Sequence, residues 1–194
     1  MTTTPHPICN TEYDFTLLLD EGISDVNQSV EDALFEAGCD DATISVRFGR
    51  VFLNFSRSAQ SFRHAIISAI CNVRDAKIGA SVFRVDACDL VTQAEIARRM
   101  DRTRQLVNLY ISGARGPGSF PPPACNIADG QPLWFWCEVA QWLWQNSLIK
   151  EEVLQRAQEV TVINNLLEFE YQKQLTPELT RQISEALSLC GCET

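Results

Sequence analysis

Five arginines lie in a short stretch of the chain, and their side chains could bind the phosphates and base edges of a nucleic acid. They are Arg98, Arg99, Arg102, Arg104 and Arg115. Only two acids, Glu95 and Asp101, accompany them between positions 95 and 116. Arginine can pair with guanine through two hydrogen bonds, and glutamine or asparagine can pair with adenine in the same way. Because Gln105 and Asn108 follow Arg104 at helical spacing, one helix face is predicted to present three base-reading side chains.

Four further residues complete the predicted DNA contacts. Arg99, Arg102 and Arg115 flank the base-reading face and are predicted to lie near phosphates. Thr103 stands immediately before Arg104, at the start of the same helix. Contacts of this kind fix the position of a protein on DNA, whereas base contacts determine sequence preference.

Two short helices are expected to position these residues. The pattern Thr92-x-x-Glu95 is a capping box, which predicts that a first helix begins directly after Thr92. A turn at Asp101-Arg102 follows, and Thr103 then caps a second helix. The inward side chains are expected to be Ile96, Ala97, Met100, Leu106, Val107, Tyr110 and Ile111. The spacing favours a helix-turn-helix, and an ordinary helical hairpin is the alternative.

The segment after the second helix predicts a wing. Three consecutive prolines exclude a helix in ARGPGSFPPPACNIADGQPLWFW, and Asp129-Gly130 provides a turn. We expect an extended segment, this turn and the strand LWFW to form a hairpin, and EVAQWL to form a helix that closes the core. Trp134 and Trp136 could stack on bases, but their strand spacing favours packing.

The run from Leu90 to Leu143 resembles the winged helix-turn-helix domains of MerR-like and AlpA/excisionase-like bacterial DNA-binding proteins. The matching motifs are VTQAEIARRM, RTRQLVNLYI, RGPGSFPPP and PLWFWCEVAQWL. The resemblance implies a DNA-binding domain at residues 89–147, with RTRQLVNLYI as its recognition helix. Wing strands of such domains often read PLW-R-W, with the basic residue toward phosphate, and Phe135 stands at that position here.

Residues 1–88 predict an α+β domain with the ferredoxin-like order β-α-β-β-α-β. The alternating run at 13–19 indicates a half-buried strand, and Ser24 or Asp25 could cap the helix that follows. The runs TISVRF and VFLNF predict a hairpin turning at Gly49-Arg50. A second helix carries an apolar face from Phe62 to Val73, and IGASVFRVD predicts the last strand. This domain would sense a ligand or assist dimerisation.

Residues 148–194 predict two helices that form a dimerisation or packing arm. The first helix places an apolar residue at alternating four- and three-residue steps, with one polar position, at Val153, Ala157, Val160, Asn164, Leu167 and Tyr171. That spacing is typical of a coiled-coil seam, and packing onto the body of the chain is the alternative. Thr176-Pro177 marks the start of the second helix, whose apolar face runs from Leu179 to Cys190.

Charge and composition limit the function classes. The net charge is −9, yet residues 89–147 hold 5 basic and 5 acidic residues, so the middle segment is neutral between two acidic flanks. The chain has 8 cysteines but no C-x-x-C pair, and 2 histidines, so we expect reduced thiols buried as small apolar side chains and no metal. Since we find no phosphate loop, nucleophile elbow, secretory signal or membrane-spanning run, we expect a cytoplasmic protein that is neither an enzyme nor cofactor-dependent.

Two functions fit these features. The first is a homodimeric bacterial or phage transcriptional regulator that binds a two-fold site in double-stranded DNA. Its dimer would form through the carboxy-terminal seam or through an edge of the amino-terminal sheet. The second is an adaptor that uses the same domains to bind a protein partner, as an antitoxin or as a component of phage defence or counter-defence.

Overall fold

A computed structural model of the protein describes residues 10–23, 26–128 and 130–190. Its fold is mixed α+β. These residues form seven helices, a four-stranded antiparallel sheet and a two-stranded sheet. The chain divides into two compact units. One unit holds the chain up to Asp86 together with the chain from Ile163 onward, and the other is Ala87–Val162.

The first unit contains the predicted order of six elements. They are β1 (Thr11–Leu19), α1 (Gln28–Glu36), β2 (Ala42–Arg47), β3 (Arg50–Ala59), α2 (Phe62–Asp75) and β4 (Val82–Val85). The strands are arranged β2-β3-β1-β4, and each neighbouring pair is antiparallel. The last strand is shorter than the predicted run, because only four of its residues join the sheet.

Strand alternation creates the core of this unit. One face of β1 and β3 is apolar and buried, and it consists of Phe15, Leu17, Leu19, Val51, Leu53 and Phe55. Helix α2 turns its predicted face inward, so that Ala65, Ile66, Ala69, Ile70 and Val73 are buried. The opposite sheet face is polar, with the Ser56 hydroxyl bonded to the carboxylates of Glu12 and Asp14.

Two local predictions in this unit need correction. Helix α1 is capped by Asn27, whose side chain accepts the Val30 N–H, while Ser24 and Asp25 lie outside the described residues. The hairpin turns at Phe48 and Gly49, with φ of 53° and 76°, and Arg50 already belongs to β3. Two positive φ angles match the twist of a tight hairpin, and the glycine adopts its angle without strain, as expected.

A buried arginine joins strand β3, helix α2 and the loop between α1 and β2. Arg57 is 8% exposed, and its guanidinium binds the Asp41 carboxylate at 2.7 and 2.8 Å. It also donates to the Gly38 carbonyl at 2.7 Å and to Ser68 and Asn72. The hydrogen bond that Arg57 donates to the Asp41 carboxylate raises the pKa of Arg57. A buried charge with this many partners is tolerated and fixes the packing around it.

The second unit contains the predicted helix pair. Its elements are β5 (Leu90–Val91), α3 (Gln93–Arg99), α4 (Arg104–Ile111), β6 (Trp134–Phe135) and α5 (Trp136–Gln145). The predicted strand LWFW is only two residues long, because Trp136 begins α5. Strand β6 pairs with Leu90-Val91, while the expected hairpin is limited to a single bridge between Cys125 and Leu133. Asp129, expected in its turn, is outside the described residues.

The predicted carboxy-terminal arm is divided between the units. Helix α6 (Glu151–Leu175) contributes Leu154 and Ala157 to the core of the second unit. Farther along, the Asn164 side chain is 2% exposed and bonds both the N–H and the carbonyl of Val85, in the first unit. Most of the predicted seam is therefore buried within the chain, which favours the packing alternative over a coiled coil. Helix α7 (Pro177–Cys190) follows.

Most of the cysteines whose surroundings are described are not deeply buried, contrary to expectation. Cys39 is buried, and burial raises the pKa of its thiol to about 11, but Cys71 and Cys88 are exposed. Within residues 10–23, 26–128 and 130–190, no group of three or more His, Cys, Asp or Glu side chains is placed to hold a metal ion. No helix over the same residues is long and apolar enough to cross a membrane.

Candidate nucleic-acid interface

The helix pair α3–α4 is anchored in one apolar cluster. Ile96, Ala97, Val107 and Tyr110 point inward and are at most 8% exposed. They pack with side chains of α5 and the start of α6, chiefly Val139, Ala140, Trp142, Leu143 and Leu154. Because the inner faces of both helices are fixed in this way, their outer faces are held in a defined position.

The turn between the helices has the predicted conformation. Asp101 has a φ of 52°, and the Arg102 N–H donates to the Ala97 carbonyl at 2.9 Å. Thr103 caps α4, and its hydroxyl accepts the Leu106 N–H at 3.3 Å. Aspartate enters the left-handed region more readily than most non-glycine residues. The chain can therefore reverse here without the glycine that such turns usually contain.

Three predicted base-reading residues lie together on the outer face of α4. Arg104, Gln105 and Asn108 are exposed and line one open groove of about 560 Å³. Gln93 and Leu109 line the same groove, and the Gln93 amide donates to the Arg104 carbonyl at 3.1 Å. The groove thus joins the amino-terminal end of α3 to the polar face of α4.

Sequence reasoning did not select Gln93 or Leu109. Gln93 is the first residue of α3, and Leu109 is 36% exposed despite its apolar side chain. A usable signal was present for Leu109, since it follows Gln105 by four residues and so lies on the same helix face. No comparable signal existed for Gln93, because its position depends on how the two helices cross.

Arg99, predicted to contact phosphate, is turned toward the protein. Its side chain is 18% exposed and pairs with Glu95 at 2.8 Å. The guanidinium also donates to the Cys88 carbonyl at 3.1 Å and lies 4.8 Å from the centre of the Trp136 ring. Among the seven predicted contact residues, Arg99 is therefore the one whose charge is neutralised most completely inside the second unit.

Glu95 is the acid that organises this part of α3. Its carboxylate bonds the Arg98 guanidinium at 2.6 and 2.8 Å and the Arg99 guanidinium at 2.8 Å. The hydrogen bonds from Arg98, with a further contribution from Arg99, lower the pKa of Glu95 to about 2. Since the carboxylate is occupied by these arginines, the predicted reciprocal half of the capping box gives way to ion pairing.

Arg102, Arg104 and Arg115 remain available to an external anion. All three are exposed, and among the described residues the Arg102 guanidinium bonds only the carbonyl of its neighbour Asp101, at 3.0 Å. Neither Arg104 nor Arg115 has an ion-pair partner in the part of the chain that the structure describes. The cations around α4 are thus not neutralised internally, in contrast to Arg99.

The loop that carries Arg115 is fixed against the aromatic core. The Arg115 N–H donates to the Leu109 carbonyl at 3.1 Å, which attaches the loop to the end of α4. Gly116 has a φ of 94°, and a Cβ there would lie 2.8 Å from the Tyr110 ring. The Trp142 indole donates to the Gly118 carbonyl at 2.9 Å. A side chain at Gly116 would therefore displace the loop.

The tryptophans near the predicted wing are packing residues. Trp134 is 3% exposed and Trp136 is 8% exposed, so neither ring is available to stack on a base. The Trp134 indole donates to the Pro121 carbonyl at 3.1 Å, which holds the proline run in place. Phe135 and its strand partner Leu90 are the exposed pair on the two-stranded sheet.

Three comparisons, with protein-family models, with curated proteins and with solved structures, find no match for this chain.

Proposed function

We propose that the second unit binds double-stranded DNA, with α4 as the recognition helix in the major groove. The observation that carries this proposal is the two-sided character of α4. Val107 and Tyr110 fix its inner face, while Arg104, Gln105 and Asn108 line an open groove on its outer face. Arginine, glutamine and asparagine are the side chains that hydrogen-bond guanine and adenine edges in that groove.

The other predicted contact residues differ in how available their side chains are to DNA. Thr103 and Arg102 lie at the amino-terminal end of α4, the end that enters the groove in helix-turn-helix proteins. Arg115 is exposed and held at the other end of the helix through its N–H. Arg99 is the least available to a phosphate, since its guanidinium is already bound to the Glu95 carboxylate and the Cys88 carbonyl.

We also propose a specific arrangement for each unit. For the second unit, a winged helix-turn-helix is supported by the turn at Asp101 and by the pairing of β5 with β6. For the first unit, a ferredoxin-like arrangement is supported by the antiparallel strand order β2-β3-β1-β4 and the two β-α-β connections.

We further propose that the protein acts as a homodimeric transcriptional regulator. DNA repels a chain whose net charge is −9, so a single helix would bind weakly. Two recognition helices on one DNA molecule raise the effective local concentration and hence the affinity. The acidic flanks would also suppress binding to DNA in general.

Titration of labelled duplexes tests the DNA proposal directly. Duplexes covering the region upstream of its own gene, and shuffled duplexes of equal composition, are titrated from about 50 to 200 mM salt and followed by fluorescence anisotropy. We expect tighter binding to the upstream duplexes and a linear fall of log affinity with log salt concentration. If no duplex binds at the lowest salt while a protein co-purifies with the chain, the adaptor function replaces the proposal.

A further inference from the structure

Helix α7 carries an apolar face that no described residue of the first unit covers. Leu179, Ile183 and Leu187 are 54%, 51% and 68% exposed. No side chain of α7 whose burial is described falls in the buried class. The helix has 14 residues, a length at which an isolated helix is only marginally stable in water. An exposed apolar face on so short a helix is a candidate surface for a partner.

We infer that the partner is a second copy of this chain, with the two α7 helices packed antiparallel about a two-fold axis at Ile183. The apolar residues form a ridge with a spacing of four, and Leu179 and Leu187 lie four residues on either side of Ile183. A two-fold axis at Ile183 places each Leu179 against the other copy's Leu187. Ridges with this spacing interlock in the commonest class of helix packing, and antiparallel helices also oppose their dipoles favourably.

The charges of α7 fit a second copy better than a charged partner. Its three charged residues with described side chains, Glu178, Arg181 and Glu185, pair with one another at 2.7 and 2.8 Å. Helical geometry puts them on the side opposite Ile183. The flanks of the apolar face are Thr180, Gln182 and Ser184, which are uncharged. Two copies of an acidic chain can thus meet along this face without opposing like charges.

The apolar face of α7 alone is too small to form a stable dimer interface. A stable interface buries about 800 Å² on each partner, which exceeds what three side chains offer. Leu166 and Phe169 lie three residues apart on one side of α6 in the same unit, and they are 60% and 45% exposed. The additional apolar area would come from this side of α6. The inference specifies the surface of the proposed homodimer and rests on that proposal only for its biological role, because the pairing itself requires no DNA.

The first test compares two substitutions that each lower the net charge by one. Ile183→Glu places a charge on the apolar face, and Arg181→Gln removes one from the opposite face. We expect the wild type and Arg181→Gln to have twice the 21.8 kDa chain mass by light scattering without DNA, and Ile183→Glu to be a monomer. Ile183→Glu should also lose helical circular dichroism, because unpaired α7 is marginal. A monomeric wild type, or a dimeric Ile183→Glu, overturns the inference.

The second test uses mild oxidation to determine whether the two α7 helices pack antiparallel. Ile183→Cys should form a cross-linked dimer with itself, whereas Leu179→Cys should cross-link only when mixed with Leu187→Cys. The wild type controls for the native cysteines, of which Cys71 and Cys88 are exposed. Self-cross-linking of Leu179→Cys without cross-linking of the mixture contradicts the antiparallel pair. Failure of DNA binding alone leaves both tests readable, because neither contains DNA.

Discussion

Helices α4 and α7 are both amphipathic, but they expose opposite faces. In α4 the apolar side chains, Val107 and Tyr110, are buried, and the polar ones line an open groove. In α7 the apolar side chains, including Ile183, are exposed, while the charges pair with one another. The sequence patterns of the two helices look alike, since each has apolar residues at three- and four-residue steps.

The difference shows that amphipathicity alone does not tell which face of a helix is functional. Where the apolar face is covered by the same chain, the polar face is free to recognise a ligand. Where the apolar face is exposed, as at Leu179 and Leu187, that face is the candidate binding surface. The functional surface follows from what the rest of the fold buries.

Removing the support beneath α4 should have the largest effect. Trp142 is 6% exposed, contacts Tyr110 and Phe120, and bonds Gly118. Trp142→Ala is expected to lower the free energy of unfolding by about 3–5 kcal/mol and to abolish DNA binding. Urea denaturation followed by circular dichroism measures the free energy of unfolding. The control, Trp144→Ala, removes an exposed ring from the same helix and should cost less than about 1 kcal/mol. Equal losses for both would show that α4 is not supported as described.

Removing a proposed base-reading side chain should have the next largest effect. Arg104→Ala is expected to reduce binding of the preferred duplex by about 1–3 kcal/mol and to relax the preference at one base pair. Its folding should be unaffected, because the side chain is exposed and lines the groove. Competition with duplexes that vary one position at a time measures both effects. Arg98→Ala is the matched control, since Arg98 lies outside that groove and pairs with Glu95. An Arg104→Ala protein with unchanged preference would remove Arg104 from the base readers.

Local signals in the sequence predicted much of the fold. The caps at Thr92 and Thr103 and the turn at Asp101 were all identified from residue type and spacing. These features depend on backbone requirements that a few neighbouring residues satisfy. The hairpin turn was misplaced by one residue, because Phe48 adopts a positive φ that is unusual for an aromatic residue.

Features that depend on distant parts of the chain could not be predicted. A coiled-coil seam and a helix packed on its own chain give the same pattern, and only the structure shows Asn164 bonded to Val85, 79 positions away. Because Leu154 and Ala157 belong to the core around α4, deleting residues 148–194 would expose that core instead of releasing an intact domain. Likewise, the inward orientation of Arg99 depends on Trp136.

Two arginines should separate electrostatic contact from structural support. Arg115→Gln is expected to flatten the dependence of log affinity on log salt by about one unit, for preferred and shuffled duplexes alike. Arg99→Gln should instead leave that slope nearly unchanged and lower the melting temperature, because it breaks contacts with Glu95 and Trp136. A salt titration and a melting curve for each variant decide the question. An equal change of slope in both would restore Arg99 to the DNA contacts.

The smallest effect should come from the acid that holds Arg98 and Arg99. The pKa of Glu95 is about 2 in the folded chain and near 4.5 when unperturbed. A lowered folded-state pKa means that the ionised carboxylate stabilises the fold fully above about pH 4.5, and that this contribution is lost as the pH falls toward 2. At pH 7 the loss in Glu95→Gln should be only about 0.5 kcal/mol, because Arg98 is largely exposed and solvent weakens the pair.

The pH dependence of the stability lost in Glu95→Gln distinguishes a contribution from ion pairing from a contribution from packing. Unfolding free energies of the wild type and Glu95→Gln are compared at several pH values from 7 down to about 2.5, and the difference between them should shrink below about pH 4.5. Other carboxylates titrate in the same range, but they do so in both proteins and cancel in the difference. Glu151→Gln, an exposed acid in the first turn of α6, controls for loss of a negative charge near a helix amino terminus. A difference that stays constant across the whole range would mean that Glu95 stabilises the chain through packing, and that Arg98 and Arg99 are held by other contacts.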